Sequence, residues 1–315
     1  MTLLPATPRL LDAEATATCL PWQPLANAIA QLLQDDSIQV PARTVVPLAG
    51  GASLFAMPAA SARVAMTKLI TFTPANAGTG RPTIQGDVVV FDVTSGERRL
   101  VLDGPTVTAR RTAAVSLLAA QRLAPVPHGP LLVVGAGVQG LAHVQAFVEC
   151  LGVREVWVTS RSPASAEALA RQARLLGAQA RVVATADEAL PHCPLVVTCT
   201  PATAVVVNER PRLDAFVAAV GAFTPHMVEL APAVCQHMAA VGQVVVDSTD
   251  AAHEAGDLLR AGLSVDTLPT LAQVVRNTAG SPGAGTRRGP VLFKSCGWAG
   301  WDLAAAQLAL HPPGA

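Results

Sequence analysis

Arg43, Lys68, Arg110 and Arg111 form a cationic set in the first part of this 315-residue chain. Lys68 sits within AMTKLITF, an otherwise apolar strand pattern. An ammonium among apolar strand neighbours is costly unless it faces water or meets a partner. Arg43 follows Pro41 at a strand start, and Arg111 lies in the opening turns of a helix. Three such cations converging on one cleft suit a small carboxylate, which the planar arginine fork binds through two bonds.

A nicotinamide dinucleotide is inferred from Leu131–Gly140, LLVVGAGVQG. An apolar strand runs into Gly135, Gly137 and Gly140, and a helical pattern follows at Leu141, Val144, Phe147, Val148 and Leu151. In that order of strand, glycine turn and helix, the first glycine allows the tight turn. The second lets a pyrophosphate approach, and the third lets helix and strand pack closely. The anion then sits on the free N–H groups of the helix start, so Val138 and Gln139 join the cofactor site. The second strand ends at Ser160-Arg161-Ser162, where a protein selecting NAD usually places an acid for the ribose 2′-hydroxyl. Hydroxyls and a positive charge suit a 2′-phosphate instead, so the expected cofactor is NADPH, with NADH accepted as an alternative. Thr200 and Gly221, at the ends of later strands, complete the expected cofactor-binding set.

The elements that must position these residues fall into two groups. Residues 12–34 read as two helices broken at Pro21, followed by period-two strands at RTVVPLA, ASLFAM and ARVAMTKLITF. GDVVVFD and Arg98–Leu102 form a hairpin across Thr94-Ser95-Gly96, and Pro105 opens a helix to about Leu123. Strands then alternate with helices: after 131–134 they fall at Glu155–Ser160, Arg181–Ala184, Leu195–Thr200, Phe216–Gly221 and Gln243–Asp247. Ala279–Pro290 is a glycine- and proline-rich loop marking a return crossing, and a last helix, Gly300–Leu310, packs on the first domain. The expected class is α/β: a Rossmann doubly wound parallel sheet over 118–290, plus an α+β domain for substrate binding and dimerisation over 1–117 with 291–315.

Composition narrows the function. Lys plus Arg equal Asp plus Glu at 22 each, so bulk charge points to neither nucleic acid nor an acidic surface. Apolar runs are strand-sized, so no membrane span is expected, and the N-terminus lacks the pattern of a signal peptide. Six scattered cysteines without a C-x-x-C read as reduced thiols of a cytoplasmic protein. The chain contains no tyrosine, which excludes a Tyr–Lys proton donor, and no metal-ligand spacing appears.

Arg43, TKLITFTPAN around Lys68, TARRTAAVSLLAA (Thr108–Ala120), the glycine loop and FKSCGWAGWDLAAA (Phe293–Ala306) resemble, in order and over nearly the whole chain, the ornithine cyclodeaminase/μ-crystallin family. The resemblance implies a homodimer whose non-Rossmann domain binds substrate and forms the subunit interface. It implies that Arg43, Lys68 and Arg111 hold the substrate carboxylate; Arg111 takes that place because it directly precedes Thr112-Ala113-Ala114, and Arg110 is extra.

One departure selects a branch. The cyclodeaminases carry an aspartate two residues after the glycine of this segment, and here Phe223 stands in its place, in GAFTPHMVEL. An apolar ring is neither an acid nor a base. The segment instead resembles the Δ1-pyrroline-2-carboxylate/Δ1-piperideine-2-carboxylate reductases. The expected reaction is therefore reduction of a cyclic ketimine carboxylate to L-proline or L-pipecolate. Arg111, Arg43 and Lys68 are its catalytic set, Lys68 is the candidate proton donor, and Phe223 and Met57 line the substrate pocket. His226 reads as structural. The alternatives are a cyclodeaminase, an alanine-type dehydrogenase, or a non-catalytic NADPH-binding protein of the crystallin type.

Overall fold

The architecture follows from two different burial patterns. The computed structural model describes residues 7–76, 78–201, 203–278 and 289–311. The chain separates into two compact units, Met1–Arg111 with Trp298–Ala315, and Thr112–Gly297.

In the first unit, β1 (Arg9–Leu11) precedes α1 (Ala13–Thr18), whose N-terminus Asp12 caps by accepting from the Ala15 N–H at 2.9 Å. After Pro21, α2 (Trp22–Leu32) buries Leu25, Ala26 and Ile29 at helical spacing. Then β2 (Thr44–Pro47), β3 (Ser53–Ala60), β4 (Val64–Phe72), β5 (Ile84–Asp92) and β6 (Arg98–Asp103) build a six-stranded sheet in the order β1-β6-β5-β4-β3-β2. All pairs are antiparallel except β1 with β6. Val88, Val90, Leu100 and Leu102 alternate onto its fully buried face, each contributing about 1.5–3 kcal/mol of burial. β1 escaped the sequence reading because three residues are too few to display a period of two. A long helix, α3 (Gly104–Leu123), starts where Asp103 caps the Thr106 N–H, and the boundary between the units falls within it.

The second unit alternates strand and helix. β7 (Leu131–Val134), α4 (Val138–Leu151), β8 (Glu155–Thr159), α5 (Pro163–Leu175), β9 (Gln179–Val182), α6 (Ala186–Ala189) and β10 (Leu195–Thr198) come first. They are followed by β11 (Phe216–Ala219), α7 (Pro232–Val241), β12 (Gln243–Val246), α8 (Ala251–Glu254), α9 (Gly256–Arg260), α10 (Leu271–Thr278) and β13 (Val291–Lys294). The seven strands are all parallel, in the order β12-β13-β11-β10-β7-β8-β9. β7, β10, β11 and β13 are buried throughout, as helices on both faces require. Strand order reverses between β7 and β10, and the carboxyl ends there form the crevice where such sheets bind ligands. Among the described residues, no helix is long and apolar enough to cross a membrane.

Two boundaries differ from those expected. Residues 291–297 belong to the second unit, because Val291–Lys294 inserts between β11 and β12 as a central strand instead of returning to the first domain. Residues 112–117 also belong there. The expected loop 279–290 lies, except for 289 and 290, outside the described residues. The final helix, α11 (Ala299–Leu310), packs within the first unit on α2, β3 and β4, as expected.

Candidate active site

The first unit brings two of its expected residues, Lys68 and Arg111, onto an acid. Lys68, mid-strand in β4, is 1 % exposed, and its Nζ lies 3.0 Å from Oδ1 and 2.9 Å from Oδ2 of Asp302 on α11. Arg111 on α3 brings Nε to 3.2 Å from Asp302 Oδ1, a close charge contact without hydrogen-bond alignment. Met57 is the direct cross-strand partner of Lys68, so both side chains share one sheet face. Arg43 lies with its guanidinium carbon 6.0 Å above the Phe55 ring, near enough to Lys68 to disfavour its charge. Burial is the main force on the Lys68 ammonium, bringing its pKa down to about 8. The Asp302 carboxylate resists that shift, and Arg111 and Arg43 add to it. Lys68, Arg111 and Asp302 together carry one positive charge in excess at neutral pH, buried and suited to an anion.

Arg110 goes elsewhere. Its Nε donates to the Leu20 carbonyl at 2.6 Å, and its guanidinium stacks 3.9 Å from the Trp22 ring. It is a strut between α3 and α2.

The second unit carries the expected strand, glycine turn and helix. Gly135 has φ +115°, and a Cβ there would stand 2.9 Å from the Cys199 carbonyl oxygen. A Cβ on Gly140 would meet the Gly135 carbonyl oxygen at 2.2 Å, so α4 packs onto the turn only because that position is glycine. Gly137 is the N-cap of α4 with no side-chain cap, and a Cβ there would enter open space. Val138 beside it is 71 % exposed. An uncapped helix start facing an open cradle fits a pyrophosphate, so these residues suit a dinucleotide.

After β8, Ser162 caps α5, accepting from the Ser165 N–H at 3.2 Å, and Arg161 is exposed. The nearby acids are engaged elsewhere. Glu155 pairs with Arg181 at 2.9 Å, and Glu167 pairs with Arg174 at 2.7 Å.

Thr200 and Gly221 meet at Glu229, which lies outside the expected site. Glu229, fully buried, accepts from Thr198 Oγ1 (2.9 Å), Thr200 N (2.7 Å), Thr200 Oγ1 (2.9 Å), Gly221 N (2.7 Å) and Ala222 N (3.3 Å). It ties together the chain ends leaving β10 and β11, and the Thr200 N–H and hydroxyl are spent on it. Asp257 accepts from Glu229 N and Leu230 N, and pairs at 2.8 Å with Lys294, the last residue of β13. Lys294 donates to the Ala222 carbonyl at 2.6 Å, so the backbone just before Phe223 is fastened from two sides. Burial raises the Glu229 pKa, and Lys294 opposes the rise. Phe223 packs against the core of this unit, and the exposed His226 offers its carbonyl to Arg260 at 3.0 Å.

Asp302, Glu229 and Lys294 were all absent from the expected site. Asp302 and Lys294 had a signal, a lone charge in an apolar helix or strand pattern, the same signal that marked Lys68.

Known proteins resemble this chain in both sequence and fold. The family model for the ornithine cyclodeaminase/mu-crystallin family matches residues 15–310. The chain is 37% identical over 313 residues to Delta(1)-pyrroline-2-carboxylate reductase 1 of Burkholderia multivorans, covering 98% of this chain and 97% of that one. It is 35% identical over 292 residues to the ketimine reductase mu-crystallin of Mus musculus, covering 90% and 89%. Its fold matches that of Thermococcus litoralis Delta(1)-pyrroline-2-carboxylate reductase, solved in complex with NADH and L-proline. The TM-score there is 0.87, with 23% identity over 96% of each chain. The matches span both units, and the chain belongs to the ornithine cyclodeaminase/mu-crystallin family.

Proposed function

We propose that this protein reduces cyclic ketimine carboxylates, Δ1-pyrroline-2-carboxylate to L-proline and Δ1-piperideine-2-carboxylate to L-pipecolate, with NADPH preferred over NADH. The observation that carries the reading is the buried Lys68–Asp302–Arg111 cluster with its surplus positive charge, in a chain so similar to a pyrroline-2-carboxylate reductase. Arg111 and Arg43 orient the substrate carboxylate, and Lys68 binds it with them. Lys68, with a pKa near 8, carries a proton at neutral pH and holds it for the imine nitrogen. The cations also draw electron density from the C=N bond, making C2 the electrophile. Gly135, Gly137, Val138, Gln139 and Gly140 hold the dinucleotide, which when bound supplies hydride. Phe223, apolar where a deaminase needs a carboxylate, suits the methylenes of a preformed ring.

The test is NADPH oxidation followed by absorbance with the five- and six-membered imines, alongside ammonia release from L-ornithine. The expected result is NADPH consumption with a cyclic imine and no ammonia. Ammonia formation at a rate comparable to imine reduction returns the protein to the deaminase branch.

Arg161 and the absence of an acid after β8 support the preference for NADPH. Arg161→Ala should raise the KM for NADPH by roughly 10- to 100-fold, the loss of a charge-assisted phosphate contact of about 1.5–3 kcal/mol. The KM for NADH should barely move; equal effects on both remove Arg161 from 2′-phosphate recognition.

A homodimer accompanies this reading. Val46 and Leu69, 44% and 47% exposed on the sheet face opposite Lys68, support a second copy covering it. The scattered cysteines support a reducing, cytoplasmic setting.

A further inference from the structure

We propose that Asp302 is a positioning residue that presets Lys68 and Arg111 as a single receptor for a substrate carboxylate. The proposal rests on the reading of the first unit as the carboxylate binder.

The geometry is specific. Asp302 stands in the first turn of α11, whose residues Ala299–Ala306 are all buried. Ala, Gly, Leu and Trp fill the rest of that segment, so its one carboxylate enters the core alone and must be compensated there. The compensation is the pair of cations: both carboxylate oxygens lie within 3.0 Å of Lys68 Nζ, and Oδ1 also faces Arg111 Nε. Lys68 and Arg111 come from β4 and α3, so α11 supplies the group that joins them. The charged groups facing the Lys68 ammonium are Asp302 from α11, Arg111 from α3 and Arg43 from the segment before β2. Asp302 alone among them favours its proton. Without Asp302, the two cations repel each other, and Lys68 sheds its proton into a dry, positive surrounding. A purely structural ion pair would shape the fold but leave ligand binding and its pH dependence untouched.

The experiment measures equilibrium binding of L-proline by calorimetry, with NADH present at saturation and pH varied from about 6 to 9.5. In this mixture no hydride acceptor is present, so binding is read without turnover. Wild type should lose affinity above about pH 8 as Lys68 deprotonates. Asp302→Asn should move that falling limb down by about one pH unit or more and weaken binding at pH 7 roughly tenfold. Asp302→Glu keeps the charge but displaces it by a methylene. Its limb should stay near that of wild type, while affinity drops on the order of tenfold. NADH affinity, set in the second unit, should be unchanged in both variants, and cooperative melting curves report that the whole chain is folded.

A folded Asp302→Asn with the limb and affinity of wild type overturns the proposal. So does Asp302→Glu binding proline as wild type does, and this variant decides the matter if the asparagine variant does not fold. A wild type without proline affinity at any pH overturns the carboxylate-clamp reading itself, and the proposal with it. A wild type that binds, with variants that behave identically, overturns only the role of Asp302.

Discussion

Arg111→Lys should cut kcat/KM for the cyclic imine by roughly 10- to 100-fold, although the charge is conserved. The reason is the number of nitrogens and their arrangement. Arg111 meets Asp302 through Nε, its inner nitrogen, so the terminal fork is left to take a substrate carboxylate through two parallel bonds. A lysine has one head, and Asp302 is its nearest partner; engaged there, it offers little to the substrate. The loss corresponds to a charge-assisted contact of about 1.5–3 kcal/mol in the transition state. Arg110→Ala is the internal control. Its side chain serves Leu20 and Trp22, so activity should stay within a few-fold of wild type while the melting temperature falls. Steady-state kinetics of both variants, with melting curves, check this. An Arg111→Lys enzyme with unchanged kcat/KM removes the bidentate role.

The pattern of what was legible follows the range of the interactions. The glycine loop is a local device: the positive φ of Gly135 and the close approach at Gly140 are made within a few residues, so spacing alone reveals them. Lys68 was legible because a charge inside an apolar strand must be compensated. The compensating Asp302 lies 234 residues away, and nothing local names it as the partner. Arg110 and Arg111 differ only by a rotation about the helix, and neighbouring Thr112-Ala113-Ala114 distinguished them through resemblance, not through physics. β13 was hidden because four residues ending in a lysine, after a glycine-rich stretch, look like a loop. Its Lys294 becomes intelligible only beside Asp257 from α9. Glu229 carries no local mark of its role, because its partners lie 7 to 31 residues away along the chain. In the fold it turns back beneath β10 and β11, where its role is to hold Thr200 and Gly221 in place.

That hidden network carries the largest stability effect. Lys294→Met should lower the melting temperature by on the order of 10 °C at pH 8, the consequence of about 3–5 kcal/mol lost when one partner of a buried ion pair is removed. Lys294 is fully buried, and it is paired at 2.8 Å with Asp257 and bonded at 2.6 Å to the Ala222 carbonyl. Burial opposes its charge, yet Asp257, Cys296 and Glu229 together outweigh that and raise its pKa. Methionine fills the volume but leaves Asp257 and Glu229 as two buried carboxylates without a counterion. The sign of the pH dependence follows from Glu229. Its folded pKa already lies above the unfolded value, so the folded state holds the extra proton and stability is lost as pH rises through the folded pKa. Removing Lys294, which lowers that pKa, raises it further and widens the window of loss. The deficit against wild type should therefore be clearly smaller at pH 5 than at pH 8. Because Lys294 also fastens Ala222, the backbone entering Phe223 is freed, and NADPH affinity should weaken along with stability. Scanning calorimetry at the two pH values, with NADPH titrations below the melting range, checks both parts. A melting temperature within about 2 °C of wild type at pH 8 means that the Lys294 charge does not hold this end of the sheet together.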